Sequence, residues 1–179
     1  MNAHFPLDRR TIGLQRLTAF LDLPLARTRG TRTIGFEALT YRLMLKAMTL
    51  PRQATARDLQ PILEQAAAIP ARAWDFLADT PEGKQVFVDN EYLKVLLIRW
   101  EPGAISSRHY HPKGGGLITV LQGAVQEQRF LNETIDAPYE TKVLERRGIS
   151  YIDDSLGMHT VGVAAGEPAV TLHAYLKYR

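Results

Sequence analysis

The sequence contains no cysteine. That excludes disulfides, thiolate metal sites, a cysteine nucleophile and any cofactor built from a cysteine side chain. Long apolar runs are missing too: no stretch approaches the roughly 20 apolar residues that a bilayer-spanning helix needs. The first ten residues, Met1 to Arg10, show no basic segment followed by an apolar one, so no secretory leader is expected and a cytoplasmic location is. A strong charge of either sign is also absent, since 22 Lys+Arg against 19 Asp+Glu leave a net charge of +3. So small a basic excess reads as an ordinary solvated surface, with no nucleic acid or membrane among the expected partners. What is present is 179 residues, 45% of them hydrophobic, enough to bury a real core.

Two halves follow different periodicities. Residues 1 to about 80 read as helical. Leu14, Leu17, Phe20 and Leu21 recur at three- and four-residue spacing, and Phe36, Leu39, Leu43 and Ala47 repeat the pattern until Pro51 closes it. Thr55-Ala-Arg-Asp58 is a cap-like start before Leu59, Ile62, Leu63 and Ala66 on one face. Pro70 opens a last turn carrying Trp74 and Leu77. Arg27 to Arg32, basic and turn-prone, reads as an exposed loop.

From about residue 84 the period becomes two. Strands are expected over 84–89, 93–100, 117–121, 124–131, 142–145, 148–152, 158–163 and 169–176. Turn signals such as Asp89-Asn90, Glu101-Pro102-Gly103, Gln122-Gly123 and Gly166-Glu167-Pro168 separate them. Eight short, regularly punctuated strands predict a mainly β antiparallel sandwich or small barrel. The expected organisation is one structural unit, with a helical layer over 1–80 packed on a barrel over 81–179.

His109 and His111 flank one residue, and on a strand residues i and i+2 share a face. His159 lies 48 residues later on another expected strand and can complete a facial set of three. Imidazole suits Fe, Zn, Cu or Ni, and three nitrogens on one face leave positions open for other ligands. Gly103, His109-Tyr110-His111, Gly116 and Gly123 reproduce the spacing of the first cupin motif, and Gly148 and His159 match places in the second. Gly116 stands where many cupins carry a glutamate ligand.

That departure, the run Tyr151-Ile-Asp-Asp-Ser-Leu-Gly-Met-His159-Thr-Val161, the segment Glu167 to Tyr175, and Trp100-Glu-Pro-Gly103 leading into His109 together resemble the cysteine dioxygenase (thiol dioxygenase) family. The resemblance covers about 84–176. It implies a cupin (RmlC-like jelly-roll) barrel holding one Fe(II) by His109, His111 and His159. It implies a relay of Thr171, His173 and Tyr175, which alternate along one strand and so share a face. It also implies a small thiol and O2 as substrates, with both oxygen atoms passing to sulfur to give a sulfinate. Some animal members join a cysteine to the relay tyrosine; the matching position here is Gly116, so Tyr175 is a free phenol.

For the group that anchors a substrate carboxylate, aligning Val88-Asp89 with the family puts Gln85 at that place, as in a glutamine subgroup acting on 3-mercaptopropionate-like thiols. Lys84 is then expected to face the other way, and Arg129 and Arg99 are alternative cations. Cysteine and 3-mercaptopropionate both stay open as substrates, as does the oligomeric state. Two other readings stand beside this one: a metal-dependent cupin enzyme acting on a non-thiol substrate, and a non-enzymatic cupin that binds a small molecule.

Overall fold

A computed structural model describes residues 35–80, 83–164 and 166–177, all within one compact unit, Thr33–Arg179. The helical segment expected around Leu14 to Leu21 and the basic loop Arg27 to Arg32 lie outside the described residues. The chain enters helix α1 (Phe36–Thr49), whose buried stripe is Phe36, Leu39, Thr40, Leu43 and Ala47. The next helical passage is tighter than an α-helix. A 3₁₀ turn (Ala56–Leu59), a single α-turn (Gln60–Leu63) and a second 3₁₀ turn (Glu64–Ala68) run on without a break. Its start is secured as the sequence suggests, with the Thr55 N–H donating to Asp58 Oδ2 at 3.0 Å. A further 3₁₀ stretch, Ala71–Asp79, turns Trp74 and Leu77 inward.

Eight strands follow: β1 (Lys84–Asp89), β2 (Leu93–Trp100), β3 (Gly116–Gln122), β4 (Ala124–Phe130), β5 (Glu140–Glu145), β6 (Ile149–Ile152), β7 (Met158–Val163) and β8 (Ala169–Leu176). They form a five-stranded sheet, β1-β2-β8-β3-β6, and a three-stranded sheet, β5-β4-β7. Every pairing between the strands is antiparallel. The expected strand order is therefore met, with boundaries moved by a residue or two.

Period-two alternation splits the interior into two cores. On β8, Val170, Leu172, Ala174 and Leu176 point to one side and join Leu93, Val95, Leu97, Leu117 and Leu121 beneath Leu39, Leu43, Leu59, Leu63 and Leu77 of the helical passages. Each leucine taken fully from water contributes about 2 kcal/mol, so this seam holds the helices to the sheet. The other face of β8, with Ala169, joins Trp100, Ile118, Val120, Val125, Leu144 and Val161 between the sheets. Thr171, His173 and Tyr175 occupy this same between-sheet face. Among the described residues, no helix is long and apolar enough to cross a membrane.

Candidate metal centre

His109 and His111 lie between β2 and β3, outside the expected strands and the observed ones alike. Their segment joins β7 through an isolated bridge, His109 against His159. The two residues exchange backbone hydrogen bonds of 3.2 and 3.1 Å, so β7 holds the His109 backbone and its own ligand candidate together. The three imidazoles converge, with every pair of ring centroids 4.8 Å apart. One ligand atom from each lies within 4.8 Å of the others, so a single ion fits within reach of all three.

The protonation pattern also suits a cation. His109 Nδ1 lies 2.8 Å from the Ser107 carbonyl and His159 Nδ1 lies 2.7 Å from Glu127 Oε1. Both partners are acceptors, so both Nδ1 atoms carry the proton and both Nε2 atoms present lone pairs. Nε2 of His111 and Nε2 of His159 approach to 2.8 Å. Burial and the charges of the neighbouring histidines push His111 down to about 3, and burial, only partly offset by Glu127, lowers His159. Both are neutral at ordinary pH, the form that binds a metal.

Glu127 went unrecognised in the sequence. It is completely buried, and while Oε1 takes His159, Oε2 accepts from Ser150 Oγ at 2.5 Å and Lys142 Nζ at 2.8 Å. Burial works against its charge, but the hydrogen bonds from His159, Lys142 and Ser150, with the Arg129 charge, outweigh that and hold its carboxyl at about 2. Only the structure reveals that the alternating set Val125, Glu127, Arg129 of β4 is the buried one. An acid and a base stand there in positions that patterning reserves for core residues.

A second polar chain crosses the same interior. Trp100 Nε1 donates to Thr171 Oγ1 at 2.7 Å, Thr171 Oγ1 lies 2.7 Å from His173 Nε2, and His173 Nδ1 lies 2.8 Å from Tyr175 Oη. The Tyr175 ring stacks on His111, centroids 5.2 Å apart and planes within 11°. The end of this chain therefore lies against the histidine triad. Burial, reinforced by nearby positive charge, lowers His173 to about 3, and burial raises the Tyr175 phenol above its ordinary value.

Gln85 is a correction. It pairs with Leu97, which pairs with Leu172, both buried in the core beneath the helices. Paired residues share a sheet face, so Gln85 faces away from His173, and its amide donates to the neighbouring Val86 carbonyl. Lys84 is the residue on the other face, in register with Ile98 and Thr171, and its charge is among those that lower His173. Arg99 aligns with Val170 on the helix side and pairs with Glu101 at 2.6 Å. Arg129 is buried, and its guanidinium bonds Ser150 Oγ at 3.0 Å and the Tyr151 carbonyl at 2.5 Å.

Two antiparallel sheets enclosing three convergent imidazoles define a barrel of the cupin type, with a histidine group that could hold a metal ion. The family model for cysteine dioxygenase type I matches residues 63–177, and the chain belongs to that family, within the cupin superfamily. Cysteine dioxygenase type 1 of Rattus norvegicus is 31% identical over 134 residues, covering 69% of this chain and 66% of the relative. The protein of that name from Danio rerio is 34% identical over 92 residues, 48% of this chain and 46% of the relative. The chain thus spans just under two thirds of the rat protein's length. In fold, a crystal structure from Bacillus halodurans superposes with a TM-score of 0.50 at 14% identity, covering 62% of this chain and 82% of that one.

Proposed function

We propose that this protein is an Fe(II)-dependent thiol dioxygenase, converting a small thiolate and O2 to the corresponding sulfinate, RS⁻ + O2 → RSO2⁻. The observation that carries the reading is the meeting of two independent features in one barrel. A three-histidine group stands against a buried phenol fixed by its own hydrogen-bond chain. His109, His111 and His159 would hold the iron. Bound there, Fe(II) would supply a common binding point for sulfur and oxygen and the electron exchange between them.

The remaining work falls to the protein. Three neutral imidazoles add no negative charge, so the site favours an anionic thiolate over the thiol. Tyr175, whose ring stacks on His111, orients a negative group of the substrate or an oxygen atom that gains charge. The apolar wall of Ile118, Val120 and Val161 excludes water from the reacting atoms. Lys84 supplies the positive charge on this face for the substrate's carboxylate, with cysteine and 3-mercaptopropionate as the substrates of choice. A cytoplasmic location belongs to the same proposal.

The test is metal analysis of the isolated protein together with oxygen uptake and sulfinate formation on a panel of thiols. One iron per chain, and one O2 consumed per sulfinate, is the expected result. Iron without thiol-dependent oxygen uptake would point instead to a cupin enzyme acting on another substrate. Absence of any metal preference and of turnover would favour a small-molecule-binding cupin. Tyr175→Phe is expected to keep its iron and lose turnover.

A further inference from the structure

We propose that Trp100 is a positioning residue that sets the direction of the whole hydrogen-bond chain, so that the Tyr175 hydroxyl reaches the site as a donor. The inference rests on the reading of Tyr175 as part of the catalytic site, but the chain's direction follows from the structure alone. An indole N–H can only donate. Trp100 Nε1, 2.7 Å from Thr171 Oγ1, therefore takes one lone pair of that hydroxyl and offers no acceptor for its proton. Thr171 is completely buried, and among the described residues its hydroxyl has one other partner, His173 Nε2. The hydroxyl proton goes there, because a buried donor with no partner carries its full desolvation penalty.

His173 Nε2 is then an acceptor. The ring is neutral, being wholly buried and lowered to about 3, so its single proton sits on Nδ1. Nδ1–H donates to Tyr175 Oη, 2.8 Å away. Among the described residues the phenol oxygen has no further hydrogen-bond partner, so its own proton is left for a group bound beside the His111 ring on which it stacks. Each link follows from the one before, and the first is a group that cannot reverse. With the opposite direction, Tyr175 would spend its proton on His173 and offer the site lone pairs only. That would repel the carboxylate or the oxygen atom it is meant to hold.

Trp100→Phe tests this. Phenylalanine keeps the aromatic packing but removes the N–H and vacates the indole's second ring, where a water can accept the Thr171 proton. His173 Nε2–H can then donate to Thr171, and the chain can run either way. The readout is the ¹⁵N imidazole spectrum of the full-length chain carrying diamagnetic Zn(II), which reports which ring nitrogen of His173 holds the proton. The wild type is expected to show Nδ1–H alone, W100F a mixture of both tautomers, and Thr171→Ser, which keeps the hydroxyl, the wild-type tautomer. Turnover of W100F should fall by about 10-fold or more, toward that of Tyr175→Phe.

An Nε2–H tautomer in the wild type would overturn the proposal, as would an unchanged Nδ1–H tautomer in W100F. Should W100F fail to fold, the wild-type tautomer and the serine variant decide. The spectrum needs neither thiol nor oxygen. Failure of the dioxygenase reading would leave the tautomer result standing, and a contrary tautomer would leave the dioxygenase reading standing.

Discussion

Gly116 lies directly under the ring of Tyr175: a Cβ added at Gly116 would stand 2.5 Å from Tyr175 Cδ1 and 2.7 Å from Cε1. The two residues are ladder partners on β3 and β8, so neither backbone can retreat without breaking the sheet. Gly116→Ala must therefore move the phenol off its stack on His111. The expected cost is about 1–3 kcal/mol of stability, typical of overpacking, and a larger loss of turnover, with bound metal retained. Thermal unfolding, metal content and oxygen uptake measured together check this. An alanine variant with wild-type turnover would show that the ring's position is not needed.

Glu127 holds the tautomer of His159, and glutamine is the sharpest way to ask how much that matters. An amide keeps the size but removes the charge that Lys142 and Arg129 face. It can also turn its NH2 toward His159. Loss of such a carboxylate behind a metal-bound histidine typically lowers metal affinity by about 10–100-fold. Competition titration of wild type and Glu127→Gln against a calibrated chelator gives the ratio. Equal affinities would reduce Glu127 to a structural counter-ion for Lys142 and Arg129.

The pH dependence of stability separates two buried groups. His173 folds neutral, at about 3 against an ordinary 6.5, so between those values the unfolded chain binds more protons. Its contribution to stability then rises with pH across that window and is lost as pH falls below about 6.5, with a slope of about 1.4 kcal/mol per pH unit well inside it, added to those of His111 and His159, which are lowered as well. Glu127 is held at about 2 against 4.5. Its contribution is complete above 4.5 and is lost as pH falls from there through 2, so it leaves the range from pH 5 to 6.5 untouched. Urea unfolding of metal-free protein in that range should show a shallower slope for His173→Gln than for the wild type. Parallel slopes would mean that His173 is not neutral in the fold.

Much of this architecture is legible in the residues themselves. β8 is readable because two interleaved sets, Val170-Leu172-Ala174-Leu176 and Thr171-His173-Tyr175, can only be a strand buried on both faces. The histidine triad is readable because its members sit in spaced glycine-rich motifs. Glu127 is not, since a glutamate in an alternating strand normally marks the solvent side. Its burial makes sense only when His159 of β7, Ser150 of β6 and Lys142 of β5 arrive around it. The helical passage from Ala56 to Ala68 keeps its predicted buried face but tightens into 3₁₀ turns around one α-turn, a detail that apolar spacing does not encode.

Gln85 faces away from the site for a reason that also yields a prediction. Counting back from Asp89 by twos gives Phe87 and Gln85, and Asp89 pairs with Lys94 in register with Tyr175, on the site's face. A bulge between Val86 and Val88 inserts one residue into that count, and one extra residue exchanges the two faces of everything beyond it. Val86 and Lys84 thereby turn to the site's face, and Gln85 turns to the helices. If a carboxylate-bearing thiol is the substrate, Lys84→Met should raise KM by about 10-fold, equivalent to about 1.4 kcal/mol, with a smaller effect on kcat. A lysine on an exposed edge strand holds an anion as a point charge rather than by a bidentate fork, so the effect should also shrink in high salt. Gln85→Ala should leave KM and kcat within about two-fold, because its amide reaches no further than the Val86 carbonyl. The pair of variants, assayed on 3-mercaptopropionate, on cysteine and on a thiol with no carboxylate, tests both the anchor and the register. A KM that responds to Gln85 and not to Lys84 would reverse the assignment of faces. A KM for the uncharged thiol that rises equally in Lys84→Met would show that the lysine acts on the shape of the site rather than on the carboxylate.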